Sequence, residues 1–170
     1  MNRAARLSVH EVSKAFPHGG ELLPVLDRVS LSVAGGEFVA LVGPSGCGKS
    51  TLFEIVCGLQ TPDAGWIEID GRRPERLVGQ VAYMPQNDLL FPWRRTIDNI
   101  ILPLVIKGMA KREARARARE WLGLFGLEDF EDAYPGQLSG GQRQRAALLR
   151  TFLTEREIVA LDEPFGALDA

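Results

Sequence analysis

The spacing of apolar and polar residues changes several times along the chain. Residues 7–16 (LSVHEVSKAF) alternate loosely, which predicts a half-exposed strand, and residues 17–20 predict a turn. Residues 28–33 (RVSLSV) alternate more regularly and run into the turn pair Gly35-Gly36. Residues 38–42 are continuously apolar, as expected of a strand buried on both faces of a parallel sheet. A glycine-rich loop follows, then a helix over about 49–57, with Gly58 placed as its C-terminal cap and Pro62 just beyond. Residues 66–70 (WIEID) alternate and close on the turn signal Asp70-Gly71. Further on, residues 81–84 predict a short buried strand and 96–125 one or two helices broken near Gly108. Residues 140–153 predict another helix, and 158–161 a last buried strand. Strands alternate with helices over most of the chain, so the class is α/β with a parallel central sheet. Between about 86 and 141 the pattern is mostly helical, which suggests a helical subdomain inserted between two strands.

Composition narrows the classes of function. With 45% apolar and 25% charged residues in 170, the chain has an ordinary globular balance and room for one core. A net charge of −2 argues against a global nucleic-acid binder. The two cysteines, Cys47 and Cys57, have neither metal-ligand nor C-x-x-C spacing, which fits a reducing compartment. The apolar stretch 100–106 is interrupted by Pro103. It falls far short of the ~20 residues of a membrane span. Arg3 and Arg6 are followed by no sustained apolar region, so no signal peptide is expected. The expectation is a soluble cytosolic chain that meets a membrane only through a partner.

Residues 43–51 read Gly-Pro-Ser-Gly-Cys-Gly-Lys-Ser-Thr, the pattern G-x-x-x-x-G-K-[ST]. Glycines let the backbone turn its N–H groups inward as a nest for phosphate oxygens, and the next helix points its positive end at the same anion. Lys49 supplies a point charge for the β- and γ-phosphates, and the Ser50 hydroxyl can coordinate Mg²⁺. The alternative is a chance glycine-rich turn. The preceding apolar run and the following helical pattern argue against it.

Residues 158–163 form an apolar strand that ends in Asp162 and Glu163. In a parallel sheet the carboxyl end faces the phosphate crevice. There Asp162 can hold Mg²⁺ and Glu163 can polarise a water. Two acids ending a strand in solvent would look the same, but this pair lies downstream of a phosphate loop in one short domain. Residues 138–142 (LSGGQ) precede a helix carrying Arg143 and Arg145. Small residues and free N–H groups there make either a second anion site or a plain N-cap on Ser139. A symmetric dimer would give the second loop a use, each closing over the other subunit's nucleotide.

Taken together, GPSGCGKST at 43–51, MPQ at 84–86, LSGGQ at 138–142, IVALDEP at 158–164 and ALD at 167–169 resemble the ATP-binding subunit of ABC transporters over nearly the whole chain. The resemblance implies a P-loop NTPase fold spanning 1–170. It would have a mostly parallel central sheet, an N-terminal antiparallel β part and a helical subdomain at about 87–141. It implies that Gly43, Pro44, Ser45, Gly46, Cys47, Gly48, Lys49, Ser50 and Thr51 wrap the phosphates of ATP. It implies that Gln86 touches Mg²⁺ and the attacking water, that Asp162 organises Mg²⁺ and that Glu163 is the catalytic base. Ser139, Gly140, Gly141 and Gln142 would contact the γ-phosphate bound by the partner subunit, and Asp169 would lie in a loop crossing the dimer interface. Phe16 takes the place of the aromatic that stacks on adenine. A lone aromatic at a strand end is core about as often as it is a base platform.

Residues 83–99 look like the nitrate, sulfonate, taurine and bicarbonate importer group, and like pyrimidine-precursor importers. Leu89, Leu90, Phe91, Pro92 and Trp93 form an apolar cluster that either docks a membrane subunit or fills the helical subdomain's own core. The basic stretch 111–119 reads as a solvated helix face with a Glu113–Arg117 pair, and no nucleic-acid role is assigned to it. The implied partners are a second copy as homodimer, integral membrane permease subunits and, indirectly, a solute-binding protein. The implied place is cytoplasmic, peripheral on the inner face of the membrane. The family continues past the ALD triplet with further strands and a switch histidine. His10 and His18 both precede the phosphate loop and cannot fill that role. A remnant that binds nucleotide without productive hydrolysis is therefore the alternative. A soluble ATPase of translation or DNA repair is a third reading, but such proteins tend to carry paired cassettes or long arms, and neither is visible here.

Overall fold

The computed structural model describes residues 5–166. They fall into two compact units, divided between Val81 and Ala82.

The first unit is built on an antiparallel sheet in the order β2-β1-β3, with β1 at Ala5–His18, β2 at Glu21–Ala34 and β3 at Ala64–Ile69. The loose alternation in β1 has a structural cause. Leu7 and Val9 point into the core, the register then shifts, and Val12 points into the core instead. Glu11 sits at the shift with φ 45°, and its N–H donates to Ser30 Oγ at 2.9 Å. A bulge of this kind inserts one residue and so breaks the period of two. β2 begins earlier than its alternation predicts and takes in Pro24 opposite Ala15. As an edge strand it has ladder positions where proline's missing N–H is not required.

Helix α1 spans Lys49–Val56. Its end is a Schellman turn: Gly58 N–H donates to the Ile55 carbonyl at 3.0 Å and Leu59 N–H to that of Glu54 at 2.8 Å. Gly58 has φ 75°, and a β-carbon there would lie 2.6 Å from Leu77 Cβ, so the position needs glycine on both counts. Leu52, Ile55, Val56 and Cys57 form the buried face of this segment. The turn after β3 places Asp70 and Gly71 at positive φ, as a tight two-residue turn requires.

Residues 38–42 correct the sequence reading. They form no strand, and Phe38 and Val42 are 90% and 94% exposed. An apolar run records what its side chains prefer, but a strand exists only through ladder bonds to neighbours. No described strand pairs with this one.

The second unit holds a parallel pair, β4 at Ala82–Met84 and β5 at Val159–Leu161, with Met84 opposite Leu161. Between them lie α2 (Thr96–Ile100), α3 (Leu102–Ile106), α4 (Lys111–Leu122) and α5 (Gly140–Phe152). Gly108, at φ 95°, separates α3 from α4 where the break was expected. Ile97, Ile100, Ile101, Leu104, Ala114, Ala118, Leu122, Leu127, Ala146 and Leu149 pack into one core. Small alanines on α4 and α5 let each of these helices pack closely on α2.

The basic face of α4 is not simply solvated. Arg115 donates to both oxygens of Asp98 at 2.8 and 3.0 Å, Arg119 pairs with Glu131, and Arg117 pairs with Glu155 rather than with Glu113. Burial alone would raise the Asp98 carboxyl, but hydrogen bonds from Arg115 and Lys111 outweigh it and hold the group below its usual range. Among the described residues no helix is long and apolar enough to cross a membrane.

Candidate functional site

Two constellations carry the chemistry, one in each unit. In the first, residues 43–48 loop into α1. Gly48 is the N-cap residue of α1, with φ 97°. A β-carbon at Gly48 would lie 2.9 Å from Leu26 Cδ2 and 3.0 Å from the Val25 carbonyl oxygen. Among the described residues no side chain caps α1, and its first turn holds no acidic residue. The N-terminal N–H groups therefore have no competing anion of the helix's own. Lys49 folds back over the loop, its Nζ donating to the carbonyls of Gly43 at 2.8 Å and Pro44 at 2.9 Å. The cation is thus stored inside the loop on neutral acceptors, which a phosphate oxygen can replace with stronger, charge-assisted bonds. The loop is largely exposed, Cys47 included, as a cradle for a soluble ligand must be.

Phe16 lies near the end of β1, half-buried and opposite Leu23. It is not part of the buried core. Lys14 holds the strand end, with its Nζ 2.8 Å from Asp63 and 5.5 Å from the centre of the Phe16 ring. Asp63 also accepts from Ala15 N–H at 2.8 Å. The Lys14 hydrogen bond, then that of Ala15, holds its carboxyl below the usual range.

In the second unit, β4 and β5 end side by side. Asp162 N–H donates to the Met84 carbonyl at 2.9 Å, which extends the ladder one step and brings the two strand ends together. Asp162 is 3% exposed, whereas Glu163 is exposed. From the loop after β4, Gln86 Nε2 donates to Glu163 Oε2 at 2.8 Å. Gln144 Nε2 of α5 donates to the Glu163 backbone carbonyl at 2.9 Å. Glu163 has φ 49°, in the left-handed region that disfavours side-chain-bearing residues. Among the described residues no group of three or more His, Cys, Asp or Glu forms a ready-made metal cage.

Residues 138–142 also take a definite form. Ser139 is the N-cap of α5: its Oγ accepts from Gln142 N–H at 3.2 Å, and Gln142 Oε1 accepts from Ser139 N–H at 2.8 Å. The two bonds form a reciprocal capping box at the start of α5. Ser139 remains exposed, with Gly140 and Gly141 half-buried behind it. Asp169 lies outside the described residues.

The loop 86–95 is fixed by residues that sequence reasoning did not single out. Arg150 of α5 donates to the Asp88 and Leu89 carbonyls, Arg143 pairs with Asp88 at 3.2 Å, and Asp88 Oδ1 accepts from Leu90 N–H at 3.0 Å. Asn99 is fully buried: its Oδ1 accepts from Phe91 N–H at 2.7 Å and its Nδ2 donates to the carbonyls of Phe91, Arg94 and Arg95. An amide at a position of α2 flanked by buried isoleucines was the available signal. The apolar cluster beside this loop divides. Leu90 joins the core, while Leu89 and Trp93 are exposed.

The family model described as ABC transporter matches residues 26–166. The chain belongs to the ABC transporter family. It is 46% identical over 166 residues to the taurine import ATP-binding protein of Pseudomonas aeruginosa (strain UCBPP-PA14), covering 98% of this chain and 63% of that protein. It is 44% identical over 164 residues to the formylaminopyrimidine import ATP-binding protein of Halalkalibacterium halodurans, covering 96% of this chain and 62% of that one. The lipoprotein-releasing system ATP-binding protein of Bordetella avium is 43% identical over 174 residues, with 97% and 76% covered. Among solved structures, a dimeric ATP-binding cassette in a post-hydrolysis state, bound to ADP and Pi, aligns with a TM-score of 0.89 at 34% identity. That alignment covers 96% of this chain and 76% of the other. The ABC transporter chain described here thus has the P-loop NTPase fold of an ATP-binding cassette, and it spans about 63% of the length of the taurine import relative.

Proposed function

We propose that this chain is the ATP-binding and ATP-hydrolysing part of a subunit that powers ABC-type import of a small solute across the cytoplasmic membrane. The observation that carries the reading is the hydrogen bond from Gln86 to Glu163, at the end of a parallel strand pair that also presents Asp162. An amide and a carboxylate held at one strand edge can, once their direct bond opens, orient and deprotonate a water molecule that enters between them. A pair of acids that merely ended a strand would not need the amide.

In this reading the loop from Gly43 to Thr51 receives the phosphates, with Lys49 released from its carbonyl partners to the β- and γ-oxygens. Phe16 offers a ring face to the adenine. Mg²⁺, when bound, neutralises charge on the β- and γ-phosphates. The residues suited to hold it are Ser50, Gln86 and Asp162, all hard oxygen donors. Glu163 accepts the proton of the attacking water, and Gln86 orients that water once its amide leaves the carboxylate. Ser139, Gly140, Gly141 and Gln142 are kept for the γ-phosphate of a second copy, with Asp169 in the crossing loop. The helices and short turns between Thr96 and Gln137 support reading residues 87–141 as a helical subdomain. The exposed Leu89 and Trp93 then suit a site for a membrane permease subunit at the inner face of the membrane. The relatives named for taurine and formylaminopyrimidine import support a solute of the nitrate, sulfonate and taurine kind or a pyrimidine precursor, delivered by a solute-binding protein.

The test is the Glu163→Gln variant with Mg²⁺ and ATP on a sizing column. Loss of the base with binding intact is expected to trap an ATP-dependent dimer that the wild type does not accumulate. A variant that stays monomeric at saturating ATP, or that turns over ATP at the wild-type rate, contradicts the assignment.

A further inference from the structure

We propose that Gln144 is a positioning residue for Glu163, and that through it α5 ties the loop 138–142, kept for a second copy's nucleotide, to the base of the chain's own site. The proposal rests on the reading of Glu163 as general base. Glu163 is held in the left-handed region at φ 49°, a conformation that lasts only where the surroundings enforce it. Among the described residues two donors reach its carbonyl: Gln144 Nε2 at 2.9 Å and Gly166 N–H at 3.2 Å. The Gly166 bond is local to the turn, so Gln144 is the donor that brings restraint from outside it. Gln144 is itself buried and sits on α5, whose flanking residues Ala146, Ala147 and Leu149 are fully buried, so its amide has a fixed origin. The turn it restrains aims the Glu163 carboxylate at Gln86.

The placement of Gln144 links two events. It lies two residues beyond Gln142, which closes the capping box with Ser139 at the start of α5. A γ-phosphate from a second copy that engages Ser139 would act on the first turn of α5, and a small rotation there moves the Gln144 amide directly. The Glu163 carbonyl follows, because a hydrogen bond weakens steeply with angle and distance. Engagement of one nucleotide is thereby reported to the base that serves the other.

The experiment compares the wild type with Gln144→Leu and Gln144→His by steady-state phosphate release and by titration with fluorescent ATP. Leucine keeps the volume and removes the donor. Histidine carries an N–H the same number of bonds from Cβ. The expected result is a fall in kcat of about tenfold for Gln144→Leu, the size of one lost hydrogen bond, with KM and ATP affinity changed by less than about twofold. Gln144→His is expected to recover most of the rate. A merely structural role would lower binding and rate together, and histidine would restore neither. Equal kcat in the wild type and Gln144→Leu overturns the proposal alone. Absence of hydrolysis in the wild type overturns it together with the assignment of Glu163 as base.

Discussion

The amide of Gln86 donates to the carboxylate of Glu163 at 2.8 Å, across 77 positions of sequence. The contact exists because β4 and β5 are parallel neighbours that end level with each other, so residues just past each strand share one edge. Gln86 thus touches the group proposed to take the proton. Replacing it with alanine is expected to lower phosphate release by about tenfold to a hundredfold while ATP titration is unchanged. A parallel loss of ATP affinity would place Gln86 in binding instead.

Asn99 is the internal support of the loop that carries Gln86. Its one side chain satisfies an N–H and three carbonyls in a segment with no regular ladder of its own. Asn99→Leu removes the side-chain partners of Phe91 N–H and the Arg94 carbonyl, while the Phe91 and Arg95 carbonyls keep backbone bonds from Arg94 N–H and Asn99 N–H, and a loss of about 1–2 kcal/mol in unfolding free energy is expected. The midpoint of a urea transition measures it; a shift within error would mean that the loop is held elsewhere.

The two cysteines should be chemically distinct. Burial, with Glu54 adding to it, pushes the Cys57 thiol up from 9.0 to about 12, whereas Cys47 is exposed in the phosphate loop. At pH 8, Ellman's reagent is expected to find one fast thiol in the folded protein and two after denaturation. Because the folded value is raised, the contribution of Cys57 to stability is complete below pH 9 and declines as the pH rises toward about 12. Two fast thiols in the folded protein would contradict this placement.

Asp98 gives the opposite sign. Its folded value is depressed below 3.8, so the stability it confers is present above that pH and is lost as the pH falls through the folded value. Asp98→Asn should therefore lower the melting temperature near neutral pH and make little difference in strong acid. An equal effect at both would show that the Arg115 and Lys111 bonds do not depend on the charge.

How much of this was legible beforehand varied with the kind of signal. Ser139 as a candidate N-cap, and Gly58 at the end of α1, were readable because capping chemistry is local, whereas the return bond to Gln142 was not singled out. The acidic pair after β5 was readable because chain direction alone places a strand's end. Residues 38–42 were misread because pairing partners are not written into an apolar run. Leu90 could not be told from Leu89 or Trp93 by composition, since the Asn99 and Arg150 bonds to the loop decide which of them turns inward. Gln144 gave no signal because its partner is a backbone carbonyl 19 residues away.

The most direct test of the account is a titration of the wild type and Lys49→Ala with fluorescent ATP, both checked for equal secondary structure by circular dichroism. The loop around Lys49 stores a cation on the carbonyls of Gly43 and Pro44 and leaves the start of α1 uncapped. If that is a triphosphate cradle, the wild type binds, and the variant loses about a hundredfold in affinity, the worth of charge-assisted bonds to phosphate. Equal binding by both proteins, or none by the wild type, would contradict it.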